Sequence, residues 1–380
     1  MRIVVPSETA AGETRVALVP RSITQLASGK VAVAVQTGAG AAAGITDQAF
    51  IESGAEVVAE REALLASGDI TVVVRRPEAA DIRSLREGSV LVGVLEPSGD
   101  PATLRALLER NITSFRLEAM PRISRAQDMD VLSSMATLAG YHASVMAAFR
   151  LPRLFPLLMT AAGTLTPARV LVLGAGVAGL QAIATCRRLG AVVEAFDVRP
   201  AVKEQVESLG ARFVEVGIES SEQQDAGGYA KELSQDAVQR EHQVLAEHVR
   251  ESDVVITTAM VPNRRAPTLV TKDMVDAMRP GSVIVDLAAA SGGNCEYTEP
   301  DKEVRIKGVL ILGPTNVPAA VPGQASQLYS HNVTRFLAQI LKDGELRLDF
   351  DDEVVAQTCM TSEGKARGEQ IEALLQGSAA

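Results

Sequence analysis

Two doubly wound, mostly parallel-sheet α/β domains are the architecture this sequence predicts. Three observations lead there: the length, a repeated alternation of short β-branched runs with helical stretches, and two long helical patterns that divide this alternation into blocks. At 380 residues the chain exceeds what one ordinary hydrophobic core holds and suits two domains of middling size. The alternation implies crossover helices and therefore parallel strands.

The first block carries strand-like runs at residues 3–5, 31–35, 70–74, 90–95 and 112–115. A second block follows at residues 170–173, 192–196, 213–216, 254–257, 283–287 and 309–312, six runs, the strand count of a complete doubly wound nucleotide fold. Between and after them lie helical patterns over residues 131–149 and 324–341, the latter placing Leu328, Val333, Phe336, Leu337 and Ile340 on one face. Taken as chain crossings, these patterns predict a discontinuous first domain, residues 1–134 plus 322–380, around a second domain at 135–321. A cleft between the two is the expected ligand site. The polar stretch 361–380 is expected to be mobile.

Composition excludes several classes. Apolar residues make up 47% and charged residues 22%, the range of a folded globular protein. A net charge of −10 and a pI near 5.1 repel phosphate backbones, so nucleic acid is an unexpected partner. Cys186, Cys295 and Cys359 are odd in number and far apart, without zinc spacing or a disulfide framework, which points to no metal and a reducing cytoplasm. Residues 1–8 reach a charge too soon for an export signal, and the longest uncharged apolar run, 170–186, is interrupted by glycines and shorter than the ~18 residues of a spanning helix.

The sharpest local pattern begins at Arg169. A run of Val-Leu-Val-Leu leads into Gly174-Ala-Gly176-Val-Ala-Gly179, and a helical pattern continues from Leu180. In such a strand–glycine–helix unit the first glycine permits the tight turn, the second lets backbone approach a pyrophosphate, and the third lets helix and strand pack closely. Asp197 ends the next strand, eighteen residues past Gly179, where an acid accepts from a ribose 2′-hydroxyl and repels a 2′-phosphate. A tight strand-to-helix turn with no ligand is the alternative. Arg199, two residues on, is a residue type that can serve NADP; with Asp197 in place, NAD(H) is the expected cofactor and the domain is Rossmann-like. Gly38, Gly40 and Gly44 also follow a strand, but lack the third spacing and the acid, and read as a turn.

Pro6-Ser-Glu8, Glu13-Thr-Arg15-Val-Ala17 and Pro20 resemble the N-terminal signature shared by alanine dehydrogenase and the NAD(H)-binding subunit of proton-translocating nicotinamide nucleotide transhydrogenase. The likeness covers nearly the whole chain. Residues 120–130, 159–164, 203–210, 226–231 and 292–295 are similar to the transhydrogenase branch. The dehydrogenase must move a proton as well as a hydride. The resemblance places its histidine and aspartate at Val94 and Ala290 here, and its substrate-anchoring lysine at Arg75. Hydride exchange between two nicotinamides needs none of these groups; it needs two ring carbons held about 3–3.5 Å apart with water excluded.

The resemblance implies further roles. Arg122, Gln127 and Asp130, with Ser133 nearby, grip the nicotinamide end of the cofactor, the carboxamide pairing with Gln127 and Asp130. A polar loop with Asp130 as a helix cap is the alternative. Val177, Ala178, Val198, Arg199, Thr258 and Ala259 join the nucleotide-binding set, and Tyr229, after Gly227 and Gly228, sits in a loop that closes over nucleotide or is a plain surface loop. Arg15 is expected to be structural, as are His142, His242, His248 and His331. The partners implied are a membrane-spanning transhydrogenase subunit and a subunit holding NADP(H), with a homodimer docked peripherally on the inner membrane. Alanine dehydrogenase and a non-catalytic NAD sensor are the competing readings.

Overall fold

The computed structural model describes residues 1–28, 30–97, 101–215, 235–261 and 264–375. In chain order, the strands of its two main sheets are β1 (Arg2–Val5), β2 (Ala32–Gln36), β3 (Glu56–Val58), β4 (Ile70–Arg75), β5 (Val90–Val94), β6 (Thr113–Arg116), β7 (Arg169–Leu173), β8 (Val192–Phe196), β9 (Arg212–Phe213), β10 (Val254–Thr257), β11 (Val283–Asp286), β12 (Glu303–Ile306), β13 (Val309–Leu312), β14 (Cys359–Ser362) and β15 (Lys365–Ala366). Two compact units result, Met1–Met135 with Ala319–Ala380, and Ala136–Pro318. The helix Pro322–Ile340 belongs wholly to the first unit, so the chain returns through the residues just before it.

The first sheet runs β15-β14-β6-β5-β4-β1-β2-β3, with β1 to β6 all parallel. Its strands are buried on both faces, which explains their unbroken apolar runs. On one face Ile3, Val72, Val92 and Phe115 meet Tyr329, Val333, Phe336 and Ile340 of the long C-terminal helix. Phe115 and Phe336 lie in tilted contact with centroids 5.2 Å apart. Leu91 and Val73 on the other face join Leu104, Leu107 and Ile371.

The tail is a correction to the sequence reading. Residues 361 onward do not hang free: β14 pairs antiparallel with β6 and with β15, and the helix Glu369–Leu375 buries Ile371. The Thr361 hydroxyl lies 2.6 Å from that of Ser114 and donates to the Ile112 carbonyl at 2.7 Å, so its polarity serves the sheet. β3 has no counterpart in the sequence pattern, because three residues are too few to show a period.

Two carboxylates receive the backbone N–H groups released where parallel strands end. Glu8 accepts from Val74 at 2.6 Å and Arg75 at 3.0 Å, and Glu118 accepts from Leu95 at 3.1 Å and Glu96 at 2.7 Å. Glu8 keeps some exposure as a residue, but its carboxylate is enclosed, and desolvation there pushes its pKa up to about 7 against the lowering pull of the two N–H groups.

The second sheet runs β9-β8-β7-β10-β11-β13-β12, parallel except for the edge strand β12. Without β12 this is the 3-2-1-4-5-6 order of a doubly wound nucleotide fold, and β1 to β6 of the first unit follow the same order. β12 alternates charge and apolar side chains, so its sequence carries little strand signal. Within this unit a Cβ on Gly140 would lie 2.0 Å from the Ala178 carbonyl oxygen. Glycine there, with Ser144 donating to the Ala182 carbonyl at 3.2 Å, lets the Val131–Arg150 helix approach the Val177–Arg188 helix closely.

Candidate functional site

The C-terminal end of β7 is the switch point of the second sheet, because β8 extends it on one side and β10 on the other. Gly174 leaves the strand with φ +97°, a conformation that disfavours any side chain, and a Cβ there would meet the Thr258 hydroxyl at 2.6 Å. A Cβ on Gly179 would lie 1.8 Å from the Gly174 carbonyl oxygen, so helix and turn touch through backbone alone. Gly176 differs: a Cβ there meets nothing within 4 Å. It caps the Val177–Arg188 helix without a side-chain hydrogen bond, leaving the first N–H groups of that helix facing an open cradle. Val177 is half exposed and Ala178 buried at the start of this helix. Such a cradle at a positive helix end fits a diphosphate.

Asp197 follows β8 and is closely held. Its Oδ2 accepts from the Ala175 N–H at 2.7 Å and from an Arg199 guanidinium nitrogen at 2.8 Å. Its Oδ1 accepts from the Arg199 backbone N–H and Nε, both at 2.9 Å. The acid therefore braces the glycine turn as well as facing the position a ribose would take. Val198 lies between them, partly exposed.

Thr258 and Ala259, past the end of β10, close the site from the other side. The Thr258 hydroxyl donates to the Gly174 carbonyl at 3.0 Å. Ala259 is clamped by Asn294, whose amide accepts from its N–H at 3.0 Å and donates to its carbonyl at 2.9 Å. Asn294 is positioned by Asp286, a fully buried carboxylate that accepts from Thr257 and Thr298 hydroxyls and from the N–H groups of Ala288, Asn294 and Cys295, all within 3.0 Å. Sequence reasoning missed this hub. The one available signal was an aspartate closing an otherwise apolar strand, Val-Ile-Val-Asp286.

In the first unit the polar loop forms a 3₁₀ turn, Ser124–Met129, leading to the Val131–Arg150 helix. Ala126 and Met129 are buried, Arg125 pairs with Asp352 at 2.9 Å, and Asp128 pairs with Arg335 at 3.1 Å. Arg122 and Gln127 are left exposed. Asp130 is the helix cap that the alternative reading described, accepting from the Ser133 N–H at 3.0 Å and its hydroxyl at 2.6 Å. Tyr229 and its glycine neighbours lie outside the described residues.

The positions read against the dehydrogenase carry no imidazole or carboxylate: Val94 closes β5, and Ala290 lies in the turn Ala289–Ser291 after β11. Arg15 is held by Glu13 through Nε at 2.7 Å and Nη2 at 2.6 Å, and Arg75 approaches the same carboxylate at 3.6 Å. His248 contacts Glu194 at 2.9 Å, and His242 the Thr268 carbonyl at 3.1 Å. The three cysteines are buried and unbridged. Among the described residues no helix is long and apolar enough to cross a membrane, and no metal-binding cluster occurs.

A doubly wound sheet with a glycine turn, an uncapped helix start and an acid ending the second strand defines a dinucleotide-binding protein. Family models for the N-terminal and C-terminal domains of alanine dehydrogenase/PNT match residues 4–139 and 143–369, and the chain belongs to that family. It is 45% identical over 372 residues to a Rhodospirillum rubrum protein, the first of the separate chains that make up NAD(P) transhydrogenase subunit alpha, covering 96% of this chain and 97% of the other. Against alanine dehydrogenase of Mycobacterium tuberculosis the identity is 28% over 378 residues, covering 98% of this chain and 96% of that one. The crystal structure of transhydrogenase from Sinorhizobium meliloti superposes with a TM-score of 0.86 at 41% identity, covering 97% of this chain and all of that one. Similarity thus favours the transhydrogenase branch.

Proposed function

We propose that this chain is the NAD(H)-binding subunit of a proton-translocating transhydrogenase. Its reaction passes hydride directly from NADH to NADP⁺ bound by a partner subunit, coupled to proton movement through a membrane-spanning subunit. The chain acts as a homodimer on the cytoplasmic face of the inner membrane, attached through those partners. The observation that carries the cofactor assignment is Asp197, anchored to the glycine turn through the Ala175 N–H, where it suits a ribose hydroxyl and opposes a 2′-phosphate.

In this reading the Gly176 cradle takes the pyrophosphate, Asp197 the adenosine ribose, and Thr258 and Ala259 border the nucleotide. Arg122, Gln127 and Asp130, with Ser133, orient the nicotinamide, and Tyr229 covers it. Bound NADH supplies the hydride; the chain's own residues hold the ring and exclude water. Val94 and Ala290 support this reading over alanine dehydrogenase, since neither can carry the proton that amino-acid oxidation releases.

The test assays the purified chain with alanine, pyruvate and both nucleotides, alone and with the partner subunits, beside equilibrium dialysis of NADH and NADPH. NADH binding without alanine oxidation, and hydride transfer only with partners, is the expected result. Alanine-dependent NAD⁺ reduction by the chain alone would make it a dehydrogenase.

A further inference from the structure

An ionised carboxylate offers about four acceptor sites, and in Asp197 all four are taken. Two go to backbone N–H groups, those of Ala175 and Arg199, whose places are set by the glycine turn and the end of β8. The other two go to one guanidinium, through Nε at 2.9 Å and Nη2 at 2.8 Å. The backbone pair cannot leave without moving the turn. The guanidinium pair can, because it hangs on a flexible stem.

A ribose diol also presents two donors. It reaches Asp197 only by exchanging its hydroxyls for the two guanidinium bonds, and the displaced Arg199 stays tethered two residues away beside the 2′ position. A guanidinium is a fork that binds phosphate oxygens bidentately. The side chains of the pair are only 6% and 19% exposed for Asp197 and Arg199, so each neutralises the other out of bulk water.

We propose that Arg199 is a specificity-determining residue: a ready 2′-phosphate-binding group that Asp197 withholds by engaging it. This rests on the dinucleotide reading of the site and extends it. Discrimination against NADPH then has two parts, repulsion by the acid and sequestration of the cation that would answer the phosphate. Removing the acid's charge does more than remove a penalty; it releases a ligand.

Asp197→Asn separates these parts. The amide oxygen still accepts from the Ala175 N–H, while the amide nitrogen cannot accept from a guanidinium, so the turn is kept and Arg199 is freed. Binding of NADH and NADPH is measured by equilibrium dialysis on the full chain for the wild type, Asp197→Asn, Arg199→Ala and the double variant. In Asp197→Asn the NADPH dissociation constant should fall at least tenfold, and the double variant should lose that gain. An equal gain in the double variant would show that Asp197 acts by charge alone and overturns the proposal. So would an Asp197→Asn chain with no NADPH gain that still melts as the wild type does. A wild-type chain that binds neither nucleotide overturns the dinucleotide reading, and this inference with it.

Discussion

The side-chain amide of Asn294 closes on both backbone polar groups of Ala259, and Asp286 in turn holds the Asn294 N–H at 2.8 Å. The loop after β10 thus takes its shape from a carboxylate at the end of β11. Asn294→Ala leaves the Ala259 N–H and carbonyl and the Pro267 carbonyl without this partner. Each buried group so stranded costs about 1–3 kcal/mol. Urea unfolding should show a loss of roughly 3 kcal/mol, and NADH dialysis an affinity about tenfold weaker as Thr258 and Ala259 loosen. Wild-type stability in this variant would show the clamp to be incidental.

Gly176 and Gly179 should respond oppositely to the same methyl group. Gly179→Ala places a Cβ 1.8 Å from the Gly174 oxygen, so the turn must move; stability should fall by roughly 3 kcal/mol or more. Gly176→Ala meets no atom within 4 Å. Its melting temperature should stay near that of the wild type, while NADH affinity drops about a hundredfold as the pyrophosphate loses its close approach. Calorimetry and dialysis on the pair check both halves, and an intact NADH affinity in Gly176→Ala would remove the pyrophosphate from that cradle.

Glu8 sets a pH dependence whose sign follows from its raised pKa. The folded chain holds this proton more tightly than the unfolded chain, so the contribution is fully present below the ordinary value of 4.5 and is lost as pH rises through about 7. The span amounts to about 3 kcal/mol. Between pH 7 and pH 5 the wild type should therefore gain stability relative to Glu8→Gln, whose side chain does not titrate. Parallel curves for the two chains would mean that the Glu8 carboxylate is hydrated.

Gln127→Asn shortens a reach by one methylene without removing the amide. Since the turn is anchored by Arg125, Asp128, Ala126 and Met129, the substitution should leave the fold intact. NADH affinity should change by a factor of a few, and hydride transfer in the complex with its partner subunits should fall roughly a hundredfold. Equal losses in affinity and rate would make Gln127 a binding contact only.

Most of the second unit was legible in the sequence because its physics is local. A strand of Val and Leu, three glycines at fixed spacing and an acid at the next strand end each report a constraint within a few residues of themselves. What stayed hidden depends on distant partners. Nothing near Thr361 announces Ser114, and nothing in Asp286 announces five donors drawn from a stretch of forty residues. Asp197 was found as an acid, yet its saturation by Arg199 was not, since the sequence shows two neighbours but not that one grips the other. Gly140 likewise looked like a blemish in a helix until Ala178 stood opposite it.

The closure of β14 on β6 joins residues 247 apart, Ser114 and Thr361, and so imposes an order on synthesis. A ribosome adds about 5–20 residues per second. Roughly 10–40 s therefore pass after β6 emerges, while the whole second unit is made, before the helix and hairpin that complete the first core exist. For that interval the nascent chain carries a parallel sheet whose β6 edge and apolar face are open, followed by a second unit able to finish folding first. The last-made segment acts as the seal on the first-made one. A chain released before residue 359 would leave that edge exposed and ready to pair with another copy.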